Sequence, residues 1–279
     1  MLSYQHAYHA ANAADLHKHV ALGVLLAPMA GRGALCVDAF AGRGLYDLDA
    51  AEAVKTGEAA AGLGRLVEAM PEGPPAGPFW RVLTRLRARD GSAAYPGSPA
   101  VAASLLDAGD RLILHERHPA EHAALMAARQ RLDARGRGRD GPQVRVERTD
   151  GHEALRRIAP GKRPGLALVD PSYEVKDEYG WVAETVITAR ARWREGIVMA
   201  WYPLLPAGRH EAMAEAVVDT LGPVAIGGAC LRHEVHLVDR PARGMVGSGL
   251  LIAGIGAAQV ATLEAAWAAC ARVFHAPPA

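Results

Sequence analysis

Short apolar runs that end in an acidic residue recur along the chain. They lie at 34–38, 111–116, 144–150 and 165–170, and a further apolar run covers 197–202. Runs of this length are typical of buried strands. Segments with helix-compatible apolar spacing lie at 12–30, 119–135, 151–158, 177–195 and 208–221. The alternation of the two patterns predicts an α/β fold, a parallel sheet with helices on both faces.

Four acidic residues close these runs at equivalent positions. They are Asp38, Glu116, Asp150 and Asp170. In open parallel sheets, ligands bind outside the carboxyl ends of the strands. We therefore expect the four carboxylates to converge at one edge of the sheet.

The stretch from 48 to 95 interrupts this alternation. It carries Pro71, Pro74, Pro75 and Pro78, flanked by helix-compatible pieces at 58–70 and 79–89. Proline clusters of this kind mark loops between short helices. We expect residues 48–95 to form a small helical insertion in a domain made of residues 1–47 and 96–279.

Composition narrows the class of protein. Half of the 279 residues are hydrophobic and 22% are charged, which excludes global disorder. Cys36, Cys230 and Cys270 are odd in number and widely spaced, so we expect a reducing compartment, the cytoplasm. The amino terminus has no signal-peptide pattern, and the uncharged run 245–263 is too glycine-rich for a membrane span. This run instead predicts a strand, a turn and a helix start.

Charge is balanced, with 31 Lys and Arg against 30 Asp and Glu. Any binding of nucleic acid must therefore come from local patches. Two groups of arginines are candidates: Arg81, Arg85, Arg87 and Arg89 in the insertion, and Arg129, Arg131, Arg135, Arg137 and Arg139 further along. A solvated surface is the alternative for both groups.

The amino-terminal histidines suggest a metal site, but their spacing argues against it. His6, His9, His17 and His19 include no pair at the helical i,i+4 spacing, and the chain has no H-E-x-x-H motif. We expect no metal.

A glycine-containing turn follows the first predicted strand, as Asp38-Ala-Phe-Ala-Gly42-Arg43-Gly44. Glycines at this point let the backbone approach a ligand closely. The pattern G-x-G-x-x-G is incomplete because Asp47 takes the third position. An ordinary tight turn is the alternative, and a nicotinamide dehydrogenase is disfavoured.

Asp170-Pro171-Ser172-Tyr173 follows another predicted strand. This can be a simple strand-end turn. It also suits chemistry on an adenine amine, because a carboxylate can accept the amine N–H and an aromatic ring can stack on the base.

The last motif is similar to the [D/N]-P-P-[Y/F/W] signature of adenine-N6 methyltransferases that use S-adenosylmethionine. Further matches occur in order at 1–4, His6, His9, Asn12, Asp15, Lys18, His19, 95–99, 116–119, Asp150, Gly151, 201–203 and 243–245. Together they make residues 1–252 resemble the RlmJ family of bacterial 23S ribosomal RNA adenine-N6 methyltransferases. The resemblance implies a Rossmann-like class I methyltransferase sheet.

The resemblance also implies roles for individual residues. Contacts with S-adenosylmethionine are implied for His19, Asp38, Phe40, Gly42, Ser98, Glu116, Asp150, Gly151 and Asp170. Catalysis and binding of the target adenine are implied for Tyr4, His6, Lys18, Asp170 and Tyr173. The implied partner is 23S ribosomal RNA, in a protein-free or precursor form, and we expect a monomer that does not bind membranes.

Two positions depart from the family pattern. Ser172 replaces the second proline of the motif, and Phe40 stands where the family often has histidine. Two other functions stay open: methylation of adenine in DNA, and RNA binding without catalysis.

Overall fold

The computed structural model describes residues 6–70, 76–132, 141–224, 229–237 and 244–274. Its strands are β1 (Leu35–Asp38), β2 (Leu45–Asp47), β3 (Ala94–Pro96), β4 (Arg111–His115), β5 (Gln143–Glu147), β6 (Gly165–Val169), β7 (Gly196–Leu204), β8 (Cys230–His236) and β9 (Gly247–Ala253). Its α-helices are α1 (Ala13–Leu26), α2 (Ala51–Thr56), α3 (Arg65–Glu68), α4 (Pro78–Asp90), α5 (Ser98–Leu105), α6 (Pro119–Leu132), α7 (Gly151–Arg156), α8 (Glu178–Arg192), α9 (His210–Leu221), α10 (Ala257–Ala268) and α11 (Ala271–Phe274).

Seven of these strands form one sheet in the order β5-β4-β1-β6-β7-β9-β8. The first five are parallel, and helices connect them, as the alternating pattern predicts. β9 is inserted antiparallel between β7 and β8, which differs from the wholly parallel sheet expected from sequence. Strand β8 was not predicted, because Arg232, Glu234 and His236 interrupt its apolar pattern at the edge of the sheet.

Strands β1 and β6 lie at the centre and are buried on both faces. Two apolar cores, one on each face of the sheet, hold it between helices. The point where the connections diverge, between β1 and β6, is where open α/β sheets bind ligands.

The insertion begins and ends at a small antiparallel ladder. Strand β2 pairs with β3 in the register Leu45↔Pro96 and Asp47↔Ala94. The helices between them share the core of the main domain, since Leu63 and Phe79 pack in the same cluster as Leu16 of α1. We propose that residues 48–95 form a subdomain without a core of its own.

Helix α1 is buried around nearly its whole circumference. Asn12 caps its amino terminus by accepting a hydrogen bond from the Asp15 backbone N–H at 2.8 Å. Polar residues inside such a helix need partners: Lys18 contacts Asp170 after β6, and His17 contacts Ser248 of β9. In the described part of the chain, no helix has the length and apolarity needed to cross a bilayer.

Candidate active site

A cavity of about 930 Å³ opens at the carboxyl ends of the central strands. Single-ligand pockets span roughly 300–1,000 Å³, so this one has room for a cofactor and part of a second molecule. Three of the four predicted carboxylates line it, those of Glu116, Asp150 and Asp170. Other predicted site residues in the wall are His6, Lys18, His19, Phe40, Gly42, Ser98, Gly151 and Tyr173.

The glycine turn after β1 is joined to the acid at the end of β4. The Gly42 N–H donates to Oε2 of Glu116 at 2.8 Å, and the His118 N–H donates to Oε1 at 2.6 Å. Gly42 has φ +58°, a conformation that favours glycine. Burial raises the pKa of Glu116, against these backbone hydrogen bonds. Each carboxylate oxygen keeps a second lone pair, which suits ribose hydroxyls.

Asp150 and Gly151 begin helix α7. Oδ1 of Asp150 caps the helix by accepting from the Glu153 N–H at 3.1 Å, and its Oδ2 lies 3.2 Å from Nη1 of Arg117. A Cβ atom on Gly151 would lie 2.0 Å from the Ala39 carbonyl oxygen. The turns after β1 and β5 therefore meet backbone to backbone at this wall of the cavity.

Asp38 is placed differently from the other three acids. Its side chain is 2% exposed, so it lies beneath the cavity wall rather than in it. Oδ1 accepts from the Phe40 N–H at 3.2 Å. Burial raises the pKa of Asp38 to about 7, although a hydrogen bond with Ser98 favours the charged form. The convergence expected from sequence thus includes Asp38 as a supporting residue beside Ser98.

Lys18 places a buried ammonium group between two carboxylates. Its Nζ lies 2.5 Å from Oδ2 of Asp170 and 3.0 Å from Oδ1 of Asp15. The ring of Trp201 is 5.8 Å away. Burial alone would lower the pKa of Lys18, but the two carboxylates outweigh it and raise this pKa above its ordinary value. Lys18 is therefore a fixed positive charge.

Asp15 joins the amino-terminal segment to Lys18. Oδ2 of Asp15 accepts from the Ala11 N–H at 2.9 Å and contacts Nε2 of His6 at 3.0 Å. Burial opposes ionisation of Asp15, but His6 and Lys18 hold its pKa well below the usual range. No role was expected for Asp15 from the sequence, although its i,i+3 spacing to Lys18 is a signal for an ion pair. Tyr4 lies outside the described residues.

Tyr173 ends the Asp170-Pro171-Ser172-Tyr173 motif in a strained conformation. Its φ is +54°, in the left-handed region that non-glycine residues rarely adopt. The hydroxyl donates to the Trp201 carbonyl oxygen at 2.7 Å, and the ring lies 4.7 Å from that of Tyr179. These contacts hold the ring at the cavity wall beside Asp170.

His19 directly follows Lys18 in the chain, and Tyr95 fixes the orientation of its ring. Its Nδ1 lies 2.8 Å from the Tyr95 hydroxyl. Burial lowers the pKa of His19 to about 3, so the ring is neutral at physiological pH. No group of three or more potential metal ligands occurs among the residues with described structure.

Comparisons with known proteins agree with this geometry. The family described as "Ribosomal RNA large subunit methyltransferase D, RlmJ" matches residues 32–268. The "Ribosomal RNA large subunit methyltransferase J" of Haemophilus influenzae is 30% identical over 259 residues, 90% of this chain and 86% of that protein. The protein of the same description from Escherichia coli is 31% identical over 255 residues, again 90% of this chain and 86% of that protein. The chain belongs to the RlmJ family.

One solved structure is similar to this chain over nearly its whole length. A crystal structure of a Legionella pneumophila protein matches with a TM-score of 0.80 and 28% identity, over 95% of this chain and 94% of that chain. The predicted Rossmann-like methyltransferase fold and membership of the RlmJ family are thereby confirmed.

Proposed function

We propose that the chain is an S-adenosylmethionine-dependent methyltransferase that modifies N6 of an adenine in 23S ribosomal RNA. Family membership supports the reaction class, the methyl donor and the substrate. The observation that carries the residue-level proposal is the position of Asp170. It ends β6 at the cavity that also holds Glu116 and Asp150, so one carboxylate can face the target base while two face the donor.

The wall residues fit S-adenosylmethionine, whose sulfonium supplies an electrophilic methyl group. Glu116 would accept from the ribose hydroxyls, and Asp150 would accept from the adenine amine. The absence of a side chain at Gly151 lets the turns after β1 and β5 pack together at this wall. His19, Phe40, Gly42 and Ser98 complete this wall, with Asp38 supporting Ser98 from below.

Asp170 and Tyr173 act on the target base. The lone pair of an adenine amine is delocalised into the ring, so the amine must be oriented before it attacks. Asp170 accepts an amine N–H and takes the proton after the methyl group has moved, while Tyr173 stacks on the base. The target adenine has to leave its stack to reach this depth.

Lys18 holds Asp170 in place during this step. It stays protonated, and its short contact fixes one carboxylate oxygen. The other oxygen of Asp170 is then available to the amine. His6 contacts Asp15 beside Lys18, and we propose that His6 and Tyr4 bind the target adenine, as the resemblance to the family implies.

The insertion supplies cations for the RNA backbone. Arg81, Arg85 and Arg89 are exposed along α4, opposite the buried Leu83 and Leu86, as the sequence pattern predicts. Asp90 accepts from Arg89 at 2.5 Å and from Arg131 of α6 at 2.7 Å, which joins the two predicted basic groups. Arg135, Arg137 and Arg139 lie outside the described residues.

The curated relatives are named for large-subunit ribosomal RNA, which supports the same substrate here. Sequence-specific RNA recognition favours unpaired bases. We propose protein-free or precursor 23S RNA as the form that is modified, by a monomer in the cytoplasm.

A methyl-transfer assay tests this function. The protein, tritiated S-adenosylmethionine and either 23S RNA or DNA are incubated, and the modified nucleoside is identified by mass spectrometry. We expect N6-methyladenosine in RNA, with at least 100-fold loss in Asp170→Asn and no loss in the exposed control Asp177→Asn. Label in DNA alone would support the DNA enzyme, and RNA binding without label would support a non-catalytic protein.

A further inference from the structure

His152 is a buried histidine in the wall of the cavity with one ring nitrogen unused. It is the second residue of α7, directly after Asp150 and Gly151, and its side chain is 4% exposed. Nδ1 lies 2.9 Å from the Thr185 hydroxyl oxygen. Nε2 has no hydrogen-bond partner among the residues that the structure describes. Buried polar atoms without a partner are rare in native proteins, so this nitrogen calls for a ligand.

The ring of His152 is held on two sides. It packs edge-on against Phe40, with ring centroids 4.9 Å apart, and against Trp181 at 6.1 Å. With Thr185 fixing Nδ1, the orientation of Nε2 is set before any ligand arrives. Phe40 also lines the cavity, but its benzyl ring has no hydrogen-bonding atom. In the contact between Phe40 and His152, the hydrogen-bonding atoms therefore belong to the imidazole.

The protonation state suits a neutral ligand. Burial lowers the pKa of His152 to about 4, against the attraction of Asp150. At physiological pH the ring therefore carries one N–H and one lone pair. A neutral heteroaromatic edge can pair with either, whereas an anion such as phosphate would need the charged form.

We propose that Nε2 of His152 forms a hydrogen bond with the adenine of S-adenosylmethionine and of its product S-adenosylhomocysteine. The inference rests on the proposed function, because it needs Asp150 and Gly151 to face the same purine. The proposed bond makes His152 of α7 a further residue that recognises the adenine, and it explains why Nε2 has no partner within the described part of the chain. Phe40 then packs on the imidazole and shields the bond from water.

Isothermal titration calorimetry with S-adenosylhomocysteine tests this without any need for turnover. His152→Phe keeps an aromatic ring between Phe40 and Trp181 but removes both nitrogens. We expect its Kd to rise by roughly three- to tenfold, the range of one neutral hydrogen bond. His236→Phe, at an exposed position of β8 outside the cavity, is the matched control and should leave the Kd unchanged.

A second pair of variants separates the lost bond from a packing defect. The exchange Phe40→His with His152→Phe returns one imidazole to the same ring contact. We expect it to recover part of the affinity that His152→Phe loses. In wild-type protein, the ¹⁵N spectrum of the histidine rings should show one Nε2 signal, absent from His152→Phe, that shifts on addition of S-adenosylhomocysteine.

The outcomes are distinct. If wild type does not bind S-adenosylhomocysteine, the proposed function fails together with the inference. If wild type binds and folded His152→Phe binds equally well, with no shift of its Nε2 signal in wild type, the inference is overturned and the proposed function stands.

Discussion

Nζ of Lys18 lies 2.5 Å from Oδ2 of Asp170, although the two residues are 152 positions apart in the chain. This contact joins the first helix to the end of the fourth strand of the central sheet, at the point where chemistry is proposed. The same ammonium group lies 3.0 Å from Asp15, so two carboxylates share one positive charge.

Replacing Lys18 should therefore affect both stability and turnover. Lys18→Met leaves two carboxylates without their buried partner, and we expect the free energy of unfolding to fall by about 3–5 kcal/mol. Urea denaturation measures this. Lys55→Met, at an exposed position, should change stability by less than about 0.5 kcal/mol. In folded Lys18→Met, kcat should fall at least tenfold, and unchanged kcat and KM would remove the role of Lys18.

Asp38 predicts a pH dependence of stability with a definite sign. Its folded pKa of about 7 is above the ordinary aspartate value of 3.8, so its protonated form stabilises the protein at low pH. This contribution is complete below about pH 4 and is lost as the pH rises through 7. The loss is up to about 4 kcal/mol, from roughly three pKa units at about 1.4 kcal/mol each.

The measurement for Asp38 is a difference between two proteins. Asp38→Asn cannot ionise, so its stability relative to wild type should increase from pH 4 to pH 8. Buried histidines such as His152 act in the opposite direction, because burial lowers their pKa, but they are present in both proteins and cancel. A difference that stays constant across this range of pH contradicts the prediction.

Tyr173 has two separable parts, a ring and a hydroxyl. Tyr173→Phe removes the donor to the Trp201 carbonyl oxygen, which should cost about 0.5–1.5 kcal/mol of stability and leave kcat/KM within a few-fold. Tyr173→Ala removes the stacking surface, and kcat/KM should fall by about 5- to 150-fold, matching roughly 1–3 kcal/mol. Equal activity of the two variants in the methyl-transfer assay would show that the ring does not stack on the base.

The arginines of α4 should set the salt dependence of RNA binding. Replacing Arg81, Arg85 and Arg89 with Ala removes up to three phosphate contacts, so the slope of log K against log salt should decrease by up to about 2. Filter binding at several salt concentrations measures the slope. Replacement of the exposed Arg192 and Arg194, near the opposite edge of the sheet, serves as the control. An unchanged slope in the α4 variant would show that these arginines are only solvated.

The fold was predictable wherever apolar patterns were continuous. The apolar runs predicted from sequence became β1, β4, β5, β6 and β7, and the acids that end the runs of β4, β5 and β6 line the cavity. Strand β8 was missed because edge strands tolerate charges, and the short ladder of β2 and β3 because three residues carry too little pattern. An antiparallel β9 requires knowledge of long-range pairing that local pattern does not contain.

The motifs predicted which residues lie near the site, but not how deeply each one is buried. Nothing in the sequence separates Asp38, which is buried, from Glu116, which lines the cavity, since both simply end a strand. Likewise the unused nitrogen of His152 depends on Thr185, 33 residues away, and on the packing of Phe40. Burial and partner geometry come from tertiary structure, so pKa shifts and unpaired atoms do not follow from the sequence.

Helix α4 packs so closely on α1 that a Cβ atom on Gly23 would lie 2.9 Å from the Phe79 backbone nitrogen. The arginines proposed to hold RNA and the lysine that contacts Asp170 are therefore carried by two helices in direct backbone contact. The proposed RNA contacts and the contact between Lys18 and Asp170 therefore depend on the packing of the same pair of helices, so a substitution that separates α1 from α4 should impair both.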